Sequence, residues 1–190
     1  MDLPLPCADE AARLPVVLVL ASGRGERFTA SGGIGHKLQA DLNGNTVLAR
    51  TLQDWLVPTH DITPQADSRQ ALERYIRAKM ALSAQRPHAS KVFANELLHG
   101  APVIKGLLET DLRKLLQEKA AVVQSWVDAG RMAPVDPMHL FFTIWASTQT
   151  YADFDEQIKA VLGCTELTAN DHARATEHVV SLILRGCGLR

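Results

Sequence analysis

The stretch DPMHLFFTIWASTQTYADF, residues 136–154, indicates the fold of this 190-residue chain. Asp136 is a good helix N-cap, because its side chain can accept from the free backbone N–H groups of the first turn, and Pro137 suits the first helical position. Apolar residues then recur at the spacing of one helix face: Leu140, Phe141, Ile144 and Trp145. The stretch therefore predicts a capped helix with a broad apolar side.

Segments on both sides of this helix have the same spacing. One predicted helix covers 67–83, the next covers 87–100, and a long one covers 107–129. The last, 168–186, begins with a Thr-Ala-Asn-Asp sequence that resembles a capping box with Asp in place of Glu. Five helices with short connections predict a mainly α protein built as a helical bundle.

The first part of the chain has a different composition. Six of the 12 glycines lie between Gly23 and Gly44, shortly after the continuous aliphatic run Pro15–Ala21. Such a run favours a strand buried on both faces, and glycines after it let backbone N–H groups approach phosphate oxygens. We therefore expect a short βα-like, Gly-rich N-terminal segment, with a plain glycine-rich turn preferred over a phosphate-binding loop.

Composition and charge exclude several classes of protein. The 20 Lys and Arg residues nearly balance the 21 Asp and Glu residues, so no basic excess is present to neutralise nucleic-acid phosphates. No apolar run reaches the roughly 18 residues of a membrane helix, and the N-terminus lacks the pattern of a secretory signal. Three scattered cysteines suit free thiols in a reducing compartment. We therefore expect a cytoplasmic protein without membrane contact.

The sequence contains no evident catalytic or metal-binding pattern. The seven histidines include no His-x-x-x-His pair, and His172 and His178 are too far apart to share one helix face well. No serine lies in a nucleophile-elbow sequence, and no cysteine has an evident partner residue that would activate its thiol. We predict no catalytic residue, no metal and no cofactor, and hence no enzyme.

Several segments of the predicted bundle recur in this order in a known family: Leu52–Pro58, Tyr75–Lys79, Pro87–Phe93, Glu96–Pro102, Asp136–Leu140 and Ile144–Phe154. They resemble the C-terminal effector and dimerisation domain of TetR-family transcriptional repressors of the RutR (YcdC-like) subgroup. The resemblance spans about 47–190, and its last segment is the most specific. It implies a transcription regulator with a ligand pocket inside the bundle and a homodimer made by the last two helices.

The pocket prediction combines this resemblance with side-chain chemistry. Apolar cavities with a few polar groups are the usual small-molecule sites. A flat polar heterocycle, such as a pyrimidine or purine base, would suit aromatic walls with groups that pair with amide edges. The predicted effector-pocket residues are Phe93, Glu96, Trp126, Phe141, Trp145 and Gln149. Two alternatives stay open. Trp126 and Phe141 can be ordinary core residues, and Glu96 can lie at the solvent-exposed edge of its amphipathic helix.

The dimer prediction rests on two helices whose apolar residues cover more of the helix surface than the side that faces the core. The helix after Asp136 and the final helix carry them on more than one side, among them Met138, Phe142, Leu182, Ile183 and Leu184. An exposed patch of that size is costly on a soluble monomer. A two-fold partner would cover it by forming a four-helix bundle from both copies.

Residues 16–48 carry a second resemblance. A strand is followed by Leu-Ala-x-Gly-x-x-x-Arg-Phe at 20–28, and then by a Lys before a Leu at 37–38. This pattern is similar to the opening of MobA-like (molybdenum-cofactor) nucleotidyltransferases. It implies a nucleotide-binding role, with Mg²⁺ alongside the nucleotide, for Ala21, Ser22, Gly23, Arg27 and Lys37. The further strands and the acidic metal ligand of that family are not found, so the fragment is incomplete.

The two resemblances divide the chain into a nucleotidyltransferase-like fragment at 1–48 and a TetR-type ligand-binding and dimerisation domain at 49–190. The fragment occupies the place of the family's helix-turn-helix head, so we expect no direct DNA binding from this chain alone. The favoured function is a regulator-type domain that senses a small molecule such as a nucleobase. The alternatives are a nucleotide-binding remnant of a nucleotidyltransferase and a helical dimer with neither activity.

Overall fold

The computed structural model describes residues 41–42, 45–46 and 57–189 of the chain. Two short strands, β1 (Asp41–Leu42) and β2 (Asn45–Thr46), pair antiparallel. A 3-10 turn follows at Val57–Asp61. Residues 57–189 contain seven α-helices: α1 (Ser68–Gln85), α2 (Pro87–Leu98), α3 (Lys105–Leu107), α4 (Arg113–Asp128), α5 (Pro137–Asp153), α6 (Asp155–Leu162) and α7 (Ala169–Gly186). The mainly α, helical-bundle class predicted from the sequence is confirmed.

The helix starts lie where the local sequence predicts them. The Asp136 carboxylate accepts from the backbone N–H of His139 at 2.9 Å, and Asp67 caps α1 in the same way. At the start of α7, Thr168 Oγ1 accepts from the backbone N–H of Asp171 at 3.2 Å, and Asp171 Oδ2 accepts from that of Thr168 at 3.0 Å. Both bonds of the predicted capping box are therefore present.

Two helical features differ from the prediction. The helix predicted at 107–129 is not uniform, because a π turn at Leu108–Leu112 joins α3 to α4. Helix α6 has no counterpart in the sequence prediction, and it separates α5 from α7, the two helices expected at the dimer seam. Its apolar residues Val161 and Leu162 are 81% and 60% exposed, so they do not form the inward stripe by which a helix is recognised in a sequence.

One main hydrophobic core holds the bundle together. Helix α1 packs against α5 and α7, and α2 packs against α5. The largest fully buried side chains of the main core are Trp126, Tyr75 and Phe141. A second, smaller apolar cluster at the connection between α2 and α3 contains Phe93, Ala101 and Ile104. The described bundle therefore has two separate apolar clusters of unequal size.

The outer sides of α5 and α7 keep large apolar side chains at the surface. Phe142 on α5 is 45% exposed, and Leu182 on α7 is 61% exposed. Their neighbours Phe141, Ile183 and Leu184 are buried in the main core. The wide apolar arcs predicted for these helices are therefore present, and only their outer strips remain at the surface.

Within the described residues, no helix has both the length and the apolarity to cross a membrane. The βα-like segment predicted near the N-terminus lies outside the described residues.

Candidate functional site

A hydrogen-bonded aromatic pair links α1 to α5. Trp145 Nε1 donates to the Tyr75 hydroxyl at 2.7 Å. The Tyr75 ring meets Phe141 edge to face, with 5.8 Å between the ring centres. Burial raises the pKa of Tyr75 far above its ordinary value, and the Trp145 hydrogen bond opposes this shift to a lesser degree. The pair therefore presents a neutral hydroxyl that is fixed against an aromatic wall.

The pair lines a small cavity between α1, α4, α5 and the 3-10 turn. The cavity volume is about 10 Å³, which is room for about one water molecule. Its other lining residues are Thr59, Leu112, Leu115, Leu116 and Lys119. Lys119 Nζ donates to the backbone carbonyl of Ile62 at 3.1 Å, which joins α4 to the segment after the 3-10 turn. Apolar walls with a few fixed polar groups have the chemistry of a small-molecule site.

Four of the predicted pocket residues lie on α4 and α5. Trp145 lines the cavity, and Gln149 is half-buried one turn further along the same face of α5. Trp126 and Phe141 are fully buried in the main core. The Arg131 guanidinium carbon lies 6.0 Å from the centre of the Trp126 ring, and among the described residues no group accepts from Trp126 Nε1.

The other two predicted pocket residues, Phe93 and Glu96, lie on α2. Phe93 belongs to the smaller apolar cluster. Glu96 is 5% exposed, and its Oε1 accepts from the backbone N–H groups of Val103 at 2.6 Å and Ile104 at 3.3 Å. Its carboxylate therefore binds the backbone of the connection between α2 and α3, and Glu96 is not among the residues that line the cavity beside Trp145.

Sequence reasoning missed most of the cavity lining. Tyr75 belongs to the apolar stripe expected for α1, but its spacing does not distinguish a lining residue from a core residue. Thr59 and Lys119 lie far apart in the sequence, and only the tertiary fold brings them to one cavity. No local sequence signal could have grouped them.

A polar cluster joins α1, α2 and α5 one turn from the aromatic pair. Ser90 Oγ donates to Asp153 Oδ1 at 2.5 Å. Lys79 is 2% exposed and lies one turn after Tyr75 on α1. Burial lowers the pKa of Lys79 to about 7, and the nearby charge of Asp153 opposes this shift. Burial also raises the pKa of Asp153, against the effect of the Ser90 hydrogen bond and of Lys79. Lys79 can therefore gain or lose a proton near neutral pH.

A groove of about 250 Å³ opens on the surface where the end of α1 and the start of α2 meet α5, α6 and the start of α7. Lys159 Nζ lies 3.2 Å from Asp155 Oδ2, and Lys91 Nζ lies 2.5 Å from Asp155 Oδ1. The described residues contain no group of three His, Cys, Asp or Glu side chains that could hold a metal ion. The groove carboxylate of Asp155 is therefore paired with lysines of α2 and α6.

The fold of the described residues is that of a mainly α helical bundle with a small cavity between its helices. Residues 48–190 match the family described as "YcdC-like protein, C-terminal region", and the chain belongs to that family. The resemblance predicted for the bundle is confirmed by this match.

Relatives of known name share the same region. The HTH-type transcriptional regulator RutR of Escherichia coli strain K12 is 42% identical to this chain over 144 residues. The proteins of the same name from Escherichia coli O157:H7 and Shigella flexneri show the same identity over the same length. Each alignment covers 74% of this chain and 66% of the relative. The chain therefore spans about two thirds of the length of these relatives.

The comparisons give no support to the MobA-like resemblance at 16–48. The five residues with a predicted nucleotide-binding role lie outside both the matched region and the described residues: Ala21, Ser22, Gly23, Arg27 and Lys37. That role stays a prediction.

Proposed function

We propose that residues 49–190 form the effector-binding and dimerisation domain of a transcription regulator, and that the effector is a pyrimidine or purine base. The observation that carries this proposal is the Tyr75–Trp145 pair beside a small, mostly apolar cavity. The names of the relatives support a regulator rather than an enzyme. A cytoplasmic location follows from that role.

A planar base suits the chemistry around Trp145. The indole face can stack on the base, and the leucine side chains of α4 can cover the opposite face. The hydroxyls of Thr59 and Tyr75 both donate and accept, and Gln149 offers an amide with both capacities. The ammonium group of Lys119 can donate to a ring carbonyl. A base needs more room than about 10 Å³, so binding requires the α4 wall to move outwards.

Calorimetry with uracil, thymine and xanthine tests the effector proposal. We expect at least one base to bind the full chain, and Trp145→Ala to lose that binding because the stacking surface is removed. Phe154→Ala is the matched control, because Phe154 is a 55% exposed aromatic residue at the end of the same helix. If the unmodified chain shows no binding heat with any of the three bases, the effector is not a nucleobase of this kind.

We also propose that α5 and α7 form the homodimer seam. The exposed side chains of Phe142 and Leu182 support this proposal. Large apolar groups at the surface of a soluble domain mark contact sites. A two-fold arrangement would place the same two helices of each copy against each other. The absence of specific operator binding by this chain alone stays a prediction.

A further inference from the structure

The connection between α2 and α3 contains two consecutive residues in the left-handed backbone region. Gly100 has a φ of 84° and Ala101 a φ of 56°, and Ala101 is the one non-glycine residue with positive φ among the described residues. A Cβ makes this region unfavourable, so the surrounding structure must hold Ala101 in place. Its methyl group is buried against the smaller apolar cluster, and its backbone N–H donates to the Glu96 carbonyl at 2.8 Å.

The Glu96 side chain fixes the other end of this strained connection. Its Oε1 accepts from the backbone N–H groups of Val103 and Ile104, and Ile104 is the N-cap residue of α3. Free N–H groups at a helix start need such an acceptor, and a buried carboxylate needs such donors. Glu96 therefore binds the loop through its backbone carbonyl before the turn and through its carboxylate after it.

The same connection leads directly into the cavity wall. The π turn Leu108–Leu112 follows α3 without a break. Leu108 and Leu112 pack against the smaller apolar cluster, and Leu112 also lines the cavity beside Trp145. Single π turns within helices are uncommon and are frequent at functional sites. The position of Leu112 at the cavity thus depends on how the preceding connection is held.

We propose that Glu96 is a positioning residue for the effector cavity, which it controls through the strained connection and the π turn rather than by touching the effector. This inference rests on the proposed function. When the Glu96 carboxylate releases Val103 and Ile104, the connection can relax and the π turn can rewind to α geometry. Rewinding changes the register by one residue, a rotation of about 100°. That rotation moves Leu112 and opens the wall that must yield for a base to enter.

Amide hydrogen exchange of the full chain tests this link without any ligand. In Glu96→Gln, which keeps the shape of the side chain but removes its charge, we expect exchange at 103–112 to become at least tenfold faster. Exchange in α5 and α7 should stay as in the unmodified chain. Glu109→Gln is the matched control, because Glu109 is an exposed carboxylate within the π turn itself. Unchanged exchange at 103–112, or equally faster exchange in all helices, would overturn the proposal.

Stopped-flow binding of uracil separates a positioning role from a merely structural one. Glu96→Gln should raise the association and dissociation rates of uracil at least threefold each, because the wall opens more often, while the affinity changes less than either rate. Rates equal to those of the unmodified chain would overturn the proposal. If uracil, thymine and xanthine all fail to bind the unmodified chain, the proposed effector is wrong, and the exchange experiment still decides whether Glu96 holds the π turn.

Discussion

At the scale of single residues, the buried Lys79 has the most direct thermodynamic consequence. Lysine is rarely buried to this degree without a partner charge, and here the half-buried Asp153 supplies one on the neighbouring helix α5. The folded pKa of about 7 lies below the ordinary value of 10.5. The folded chain therefore releases a proton that the unfolded chain keeps between these two pH values.

Lys79→Met should flatten the dependence of stability on pH between pH 7 and 8.5. Because the unfolded chain binds more protons there, the free energy of unfolding rises with pH by up to about 1.4 kcal/mol per unit through this one group. Urea unfolding at several pH values measures the slope, with the exposed Lys114→Met as control. Above pH 9 the buried Cys187, whose pKa burial raises to about 11, acts in the opposite direction. Equal slopes in the two variants would contradict this role of Lys79.

At the scale of elements, the helix starts depend on single capping side chains. Thr168→Ala removes the acceptor for the backbone N–H of Asp171 at the start of α7. We expect a loss of about 1 kcal/mol in the free energy of unfolding, the usual cost of losing such a cap. Chemical denaturation measures it, and Thr165→Ala, an exposed position just before the cap, is the control. If both variants lose the same free energy of unfolding, the capping hydrogen bond does not contribute to stability.

The elements also show how far the sequence could predict the fold. Asp67, Asp136 and Thr168 mark helix starts through bonds to residues three positions away, so a local pattern is enough to find them. Helix α6 was not predictable in this way, because Val161 and Leu162 are exposed and only Ile158 among its large apolar residues is half-buried. The π turn was not predictable either, because packing of Leu108 and Leu112 against residues of another helix accompanies it.

The candidate site was predictable only in part for a related reason. Helical spacing placed Trp145 on an inward face, and in the structure Trp145 lines the small cavity beside Tyr75, while its role in effector binding stays a prediction. The same spacing could not tell that Trp126 fills the core or that Glu96 binds a loop seven residues ahead. Those outcomes depend on which helix packs against which, and that information is not local.

At the scale of the whole molecule, the proposed dimer makes a prediction about the outer strips of α5 and α7. Phe142→Glu together with Leu182→Glu should give a folded monomer. The two side chains are 45% and 61% exposed in one copy, whereas in the proposed dimer the introduced carboxylates would be buried without partners. Light scattering measures the mass, and circular dichroism checks the helices.

The control for the dimer is a pair inside the core. Ile183→Glu with Leu184→Glu should unfold the chain instead, because these side chains are 6% and 3% exposed within a single copy. If the unmodified chain is a well-folded monomer at micromolar concentration, the dimer prediction is wrong.

The 3-10 turn at Val57–Asp61 gives the cavity one more property. Thr59 lines the cavity, and the same turn is where the described bundle joins the 56 residues before it. A base bound in the cavity would therefore touch the first turn of the described bundle. Thermodynamic linkage is reciprocal: if filling the cavity shifts this turn, then any event that displaces the turn from the other side changes effector affinity by the same factor. Under that condition, the effector affinity of the bundle and the position of the chain before Val57 would depend on each other.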